Sequence, residues 1–228
     1  MAQKAPTPKE LAELNTKIWN IVRDVNGKKS YDAERKVSKY IGKGVDVFVH
    51  DPKGDKRSLY QVAVDAREAN RMAKRADKEN HCNGVIRRLQ EAASARFRAA
   101  VIANNMDEVQ RIHQGNYGAD LHQAANGGPF GLLGDAVRQP GMKLALVQFL
   151  IANSPQNSAA VESEEKGAAL HAIAAASGNG DLAQYLKREL GVRLLALARQ
   201  DKSPAGAQRP KQLVDRGADI EMQDDQGA

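Results

Sequence analysis

Catalysis without a cofactor requires a nucleophile beside a base, paired carboxylates in a cleft, or metal ligands at a fixed spacing. The residues of this chain that could serve are five histidines, His50, His81, His113, His122 and His171, and a single cysteine, Cys82. The histidines are scattered and lack the two-histidine helical spacing of zinc hydrolases. His81 and Cys82 are adjacent, but adjacent residues rarely converge on one substrate, and a lone thiol is usually a small core side chain. Gly127-Gly128 and Gly178-Asn179-Gly180 have the glycine content of a phosphate cradle, yet neither belongs to a full fingerprint and no Lys-Ser/Thr pair follows, so both read as turns. No catalytic, cofactor-binding or metal-ligating residue is assigned, and a non-enzymatic protein is expected.

Charge is the next chemistry on offer. Net charge is +6, but residues 1–100 carry 22 Lys/Arg against 13 Asp/Glu, a surplus of about 9, while the remainder is slightly acidic. Arg67, Arg71, Lys74, Arg75 and Lys78 recur at helical spacing and would form a positive stripe. Such asymmetry fits an acidic protein surface, nucleic acid or an anionic membrane meeting the N-terminal part, and equally a solvated face that keeps the protein dissolved. Aromatic residues are only 4% of the chain, too sparse for stacking on unpaired bases, which weakens the nucleic-acid reading.

The elements that must position these residues are helical. Hydrophobic residues make up 42% of 228, enough for a continuous core, and alanine recurs in runs such as Ala172 to Ala176. Alanine is the best helix former and permits close helix approach, whereas β-branched strands are not evident. Apolar residues fall on single helix faces: Ile18, Ile21, Val22 and Val25; Val37, Tyr40 and Ile41; Val101, Ile102, Val109 and Ile112; Leu144, Val147, Leu150 and Ile151. One cysteine rules out an intrachain disulfide, and no stretch approaches the roughly eighteen apolar residues of a membrane helix. The start lacks an apolar signal core, and a reducing, cytoplasmic setting is expected.

These helices are punctuated by a recurring junction. Near the end, Gln212 to Arg216 leads into Gly217-Ala218-Asp219-Ile220 and then Asp224-Asp225-Gln226-Gly227. Tyr40 to Val47 followed by Asp51-Pro52-Lys53-Gly54 is a second copy, with Ser58-Leu59-Tyr60-Gln61-Val62-Ala63 beyond it. Gly118-Ala119-Asp120-Leu121 is a third, and Gly167 to Ala174 followed by Gly178 and Asp181 to Leu186 gives another helix pair. Glycine can take the left-handed conformation that ends a helix, and Asp-x-x-Gly makes the next turn. This grammar resembles the ankyrin repeat, which ends a helix in Gly-Ala-Asp-Val-Asn and opens the next in Thr-Pro-Leu-His-x-Ala.

The resemblance implies an all-α, ankyrin-type helical repeat solenoid with short β-turn or hairpin loops and about five to six degenerate repeats. As a single solenoid over residues 1–228, its units would lie near residues 9–50, 51–94, 95–125, 126–165, 166–190 and 191–223, with an incomplete unit from 224. Ala66 to Gln90 reads as an overlong first helix or a helical insertion, Ser154 to Lys166 as a long polar linker, and Ser203 to Gly206 as a disruption. His171, in the position where the family prefers His, would be a structural residue hydrogen-bonding between neighbouring turns.

In the family resembled, hairpin tips and first helices contact a partner protein. The corresponding positions are Phe48, His50, Lys53, Lys56 and Arg57 at one tip, His122, Gln123 and Asn126 at another, and Glu221 and Gln223 at the last. Phe48 is either an exposed anchor or packed against Tyr60. The expected function is a monomeric scaffold binding another protein with an acidic surface, without a cofactor. Its alternatives are the targeting part of a larger polypeptide, such as an effector secreted into a host cell, and a nucleic-acid or anionic-lipid binder acting through the basic half.

Overall fold

The computed structural model describes residues 6–25, 32–50, 56–123, 129–200 and 208–218. The described chain is mostly helical. Its helices are α1 (Pro8–Arg23), α2 (Ala33–Ile41), α3 (Leu59–Met72), α4 (Ala76–Ile102), α5 (Met106–Gln114), α6 (Gly131–Val137), α7 (Leu144–Asn153), α8 (Pro155–Ala160), α9 (Leu170–Ala176), α10 (Gly180–Gln200) and α11 (Gln208–Asp215). Strands β1 (Glu164–Glu165) and β2 (Ala168–Ala169) form one antiparallel hairpin. Among the described residues no helix is long and apolar enough to cross a membrane. Two compact units emerge, one of residues 1–100 with 106–120 and the other of residues 101–105 with 121–228.

Helix starts follow from local chemistry. Thr7 caps α1 and Ser58 caps α3, each in a reciprocal box with Glu10 and Gln61, so the first free N–H groups of both helices are satisfied by side chains. Helix ends follow from left-handed stops. Gly44 (φ 85°), Gly118 (φ 76°) and Gly217 (φ 83°) are the three junction glycines of the sequence, and all take the conformation that a side chain resists. After α2 and after α11 the chain closes in the same double hydrogen bond, Gly44 N–H to Ile41 and Val45 N–H to Tyr40 in one case, Gly217 N–H to Val214 and Ala218 N–H to Leu213 in the other.

In the first unit α1 packs on α2 and α3, burying Ile18, Trp19, Val22, Val37 and Leu59. Val85, Ile86, Leu89 and Phe97 of α4 and Val109 and Ile112 of α5 are also core residues, whereas Ile102 stays partly exposed. In the second unit α6 packs on α7, α8 and α9, α7 packs on α8, and α10 packs on α7, α9 and α11, around Leu132, Leu133, Leu146, Leu150, Leu170, Leu182 and Leu186.

Three segments differ from the sequence expectations. The boundary expected at 94–95 falls inside α4 and that at 190–191 inside α10, so the chain passes both places without a turn. The alanine-rich run from Glu91 to Ala100 has no proline, glycine or capping pattern to stop a helix. α3 is an ordinary 14-residue helix, and the excess length of that region sits in the 27-residue α4. Ser154 to Lys166 is not an irregular linker: Ser154 caps the short α8, and Lys166 (φ 53°) with Gly167 (φ 77°) makes the two-residue turn that joins β1 to β2. Two successive left-handed residues match the twist of a tight hairpin, which a polar-composition reading does not detect. The expected disruption at 203–206 and the expected incomplete unit from 224 lie outside the described residues.

Candidate partner-binding finger

The first junction lies between α2 and α3, and its described parts, residues 46–50 and 56–58, form the two sides of a finger's base. That base is anchored within the first unit. Asp46 accepts the Phe48 N–H through Oδ1 at 3.0 Å, turning the chain so that Phe48 points inward. Phe48 is 5% exposed and meets Tyr117 edge-on, with ring centroids 4.8 Å apart. This corrects both sequence readings: Phe48 is not an exposed anchor, and its ring partner is Tyr117 instead of Tyr60. The Arg111 guanidinium carbon lies 5.1 Å from the Phe48 ring centroid and is itself held by two hydrogen bonds to Glu108, at 2.7 and 2.9 Å. Arg111, aided by Arg96 at 3.2 Å, keeps the Glu108 carboxyl below its usual range despite partial burial. Burial pushes the Tyr117 hydroxyl up, so it stays protonated and available as a donor.

His50 is the clamp of the finger. Its Nδ1 lies 2.9 Å from the Lys56 carbonyl, an acceptor only, so Nδ1 carries the proton. Nε2, 3.0 Å from the Tyr117 hydroxyl, then accepts from it in the neutral ring. His50 and Ser58 face each other in a β-bridge, and the fully buried Ser58 hydroxyl donates to the Asn116 carbonyl at 3.1 Å while capping α3. Beyond the clamp, Lys56 is exposed in a left-handed conformation (φ 53°), and Arg57 is exposed but bonded to Asp65 at 2.9 Å. Arg57 is therefore engaged within its own unit. Lys53 lies outside the described residues.

A comparable clamp stands at the junction of the second unit. His122 Nδ1 is 2.9 Å from Asn157 Oδ1, and the His122 carbonyl accepts from Leu132 at 2.9 Å. Asn157 is completely buried and donates to the Leu121 and Leu150 carbonyls at 2.8 and 3.3 Å. His122 is thus a cross-link more than a contact residue, while Gln123 is exposed. Asn126, Glu221 and Gln223 lie outside the described residues. His171 departs from its expected role, since its Nδ1 is buried without a hydrogen-bond partner.

Sequence reasoning missed the asparagines that tie the second unit. Asn179 accepts the Gly141 N–H at 3.0 Å and donates to Val137 and Gln139 at 2.8 and 2.9 Å, while Asn104 donates to the Gly141 carbonyl at 3.0 Å and accepts from Lys143 at 3.2 Å. Both backbone polar groups of Gly141, its N–H and its carbonyl, are thereby held by side chains from two other turns. No local pattern in the sequence singles them out, because Asn104, Asn157 and Asn179 matter through backbone groups distant along the chain. The Gly178-to-Gly180 turn is occupied by this bridging.

The reactive candidates are dispersed. Cys82 is fully buried, receives a contact from Asn70 Nδ2 at 3.5 Å, and burial pushes its thiol up, away from the thiolate that attacks substrates. Among the described residues no group of three or more His, Cys, Asp or Glu side chains is placed to hold a metal ion. Of the basic stripe, Arg67 and Arg71 are bonded to Glu68, at 2.7 and 2.6 Å, and Lys74 and Arg75 are exposed. No protein-family model matches the chain, and comparison with curated proteins finds no significant match.

Proposed function

We propose that this chain is a non-enzymatic protein-binding module, an ankyrin-like stack of degenerate helical repeats whose first finger meets an acidic surface on a partner protein. Support for the repeat reading comes from the helix pairs closed by left-handed stops and from histidine and asparagine side chains that bond one turn to another. Support for binding comes from one observation above the rest: the His50, Tyr117 and Ser58 clamp holds the finger base in place before any partner arrives, with Lys56 and Arg57 on the outside. A base anchored in advance has less conformational freedom to lose on association, which favours affinity. The surplus of cations in residues 1–100 adds long-range attraction for an acidic surface.

The test reverses Lys53→Glu and Lys56→Glu together and leaves Arg57, whose reversal would set two carboxylates against each other at Asp65. With the partner recovered by affinity capture and identified by mass spectrometry, association at low salt should slow by about tenfold, because rim charges act mainly on encounter rate. The difference should shrink as salt rises and the Debye length falls to about 3 Å near 1 M. Equal association by wild type and the double reversal across the salt series would remove the finger from the binding surface.

A further inference from the structure

The far end of α3 carries a second feature that the finger does not use. Fourteen residues separate the Ser58 cap from the close of the helix, about 20 Å at 1.5 Å per residue. There Met72 is 84% exposed, the largest exposure of any large apolar side chain among the described residues. A buried or half-buried methionine is ordinary filler, but one so exposed at the tip of a tight turn has no packing role within its unit. The turn is closed by backbone hydrogen bonds: Lys74 takes the left-handed stop (φ 55°), with its N–H bonded to the Arg71 carbonyl and that of Arg75 to the Asn70 carbonyl.

Around Met72 the charge is mixed but unequally engaged. Residues 67–79 hold Arg67, Arg71, Lys74, Arg75 and Lys78 against Glu68, Asp77 and Glu79. Glu68 already takes both Arg67 and Arg71, and Asp77 and Glu79 sit in the first turn of α4, where carboxylates suit the free N–H groups. Lys74 and Arg75, which follow Met72 in the same turn, remain exposed, in the half of the chain with the positive surplus. An exposed apolar side chain followed by two exposed cations on one turn matches one environment well, the boundary of an anionic bilayer, where the thioether enters the acyl region and the cations meet phosphate and carboxylate headgroups.

We propose that the α3–α4 turn is a weak, salt-sensitive docking point for an anionic membrane surface, with Met72 as the wedge and Lys74 and Arg75 as the headgroup contacts. It is independent of the finger and of the protein partner proposed there. The full chain is sedimented with vesicles of phosphatidylcholine alone and with about 30% phosphatidylserine, over a range of salt. Binding is expected to the anionic vesicles only and to fall with salt. Lys74→Asn with Arg75→Gln removes both charges, and asparagine tolerates the left-handed turn. That variant should bind more weakly by about fivefold for each charge removed. Met72→Ser should weaken binding severalfold while keeping the salt dependence, and Lys53→Glu with Lys56→Glu at the finger should leave more of it than the Lys74 and Arg75 change does. The proposal is overturned if the wild type ignores anionic vesicles, binds neutral ones equally, or is matched by the turn variants. It is also overturned if the turn substitutions weaken only capture of a protein partner, which would give this tip to protein recognition.

Discussion

At the scale of single residues, the histidines separate by what their ring nitrogens meet. His50 and His122 each find partners and become fasteners, whereas His171 has a buried Nδ1 with none. Its imidazole also lies close to Gly217, where an added Cβ would come within 3.1 Å of the ring. Burial first, and then the nearby Lys187 charge, lowers the His171 pKa below 6.5. A base whose folded pKa is lowered binds its proton more readily when unfolded, so stability is full above about pH 6.5 and declines as pH falls through that value towards the folded pKa. Between pH 7.5 and about 5.5 the unfolding free energy should fall, and His171→Gln should flatten the fall measured by denaturant titration. An unchanged slope would mean the ring is hydrated as it protonates. Loss of His171 should reduce stability at neutral pH through lost packing against Gly217, by about 1 kcal/mol, and not through a lost hydrogen bond.

At the scale of elements, α4 is the instructive case. A repeat boundary near residues 94–95 would place a turn there, and a turn tolerates proline. In a continuous helix Ala95 is an interior position, where proline loses a hydrogen bond and collides with the preceding turn. Ala95→Pro should therefore cost about 3 kcal/mol or more and lower the melting temperature markedly, although Ala95 is exposed. A near-neutral effect would show that the two halves of α4 are separate helices. The β1–β2 hairpin offers the opposite sign. Lys166 occupies a left-handed turn position that asparagine adopts more readily, so Lys166→Asn should leave stability unchanged or raise it by about 0.5 kcal/mol in the same assay.

At the scale of the whole molecule, acid should act on the two compact units in different windows. The first unit contains Glu34, held by Arg87 at 2.7 Å and Arg88 at 3.0 Å, and Glu108, held by Arg111 and Arg96. Both carboxyls are lowered chiefly by those hydrogen bonds, Arg87 for Glu34 and Arg111 for Glu108. Stability from a lowered carboxyl is present above about pH 4.5 and is lost as pH falls through the folded pKa. The second unit contains His171, whose window lies about two pH units higher. Amide exchange followed by NMR should report loosening of α9 to α11 first and of α4 and α5 later on acidification. Glu108→Gln should blunt only the later step; an effect on the earlier one would show that the two windows are not separate.

The sequence alone determined the helical character and the three junction glycines, because each rests on chemistry within a few residues. Apolar spacing likewise marked the core at Ile18, Val22, Val37, Val109, Val147 and Leu150. Tertiary structure decided what depends on distant partners. Phe48 is internal because Tyr117, far along the chain, supplies its ring contact; Arg57 is engaged because α3 brings Asp65 alongside; Asn157 and Asn179 matter because carbonyls from other turns converge on them. A side chain's type limits which bonds it can make, but whether it faces solvent or becomes a fastener is set by which unpaired groups the folded chain brings within about 3 Å of it.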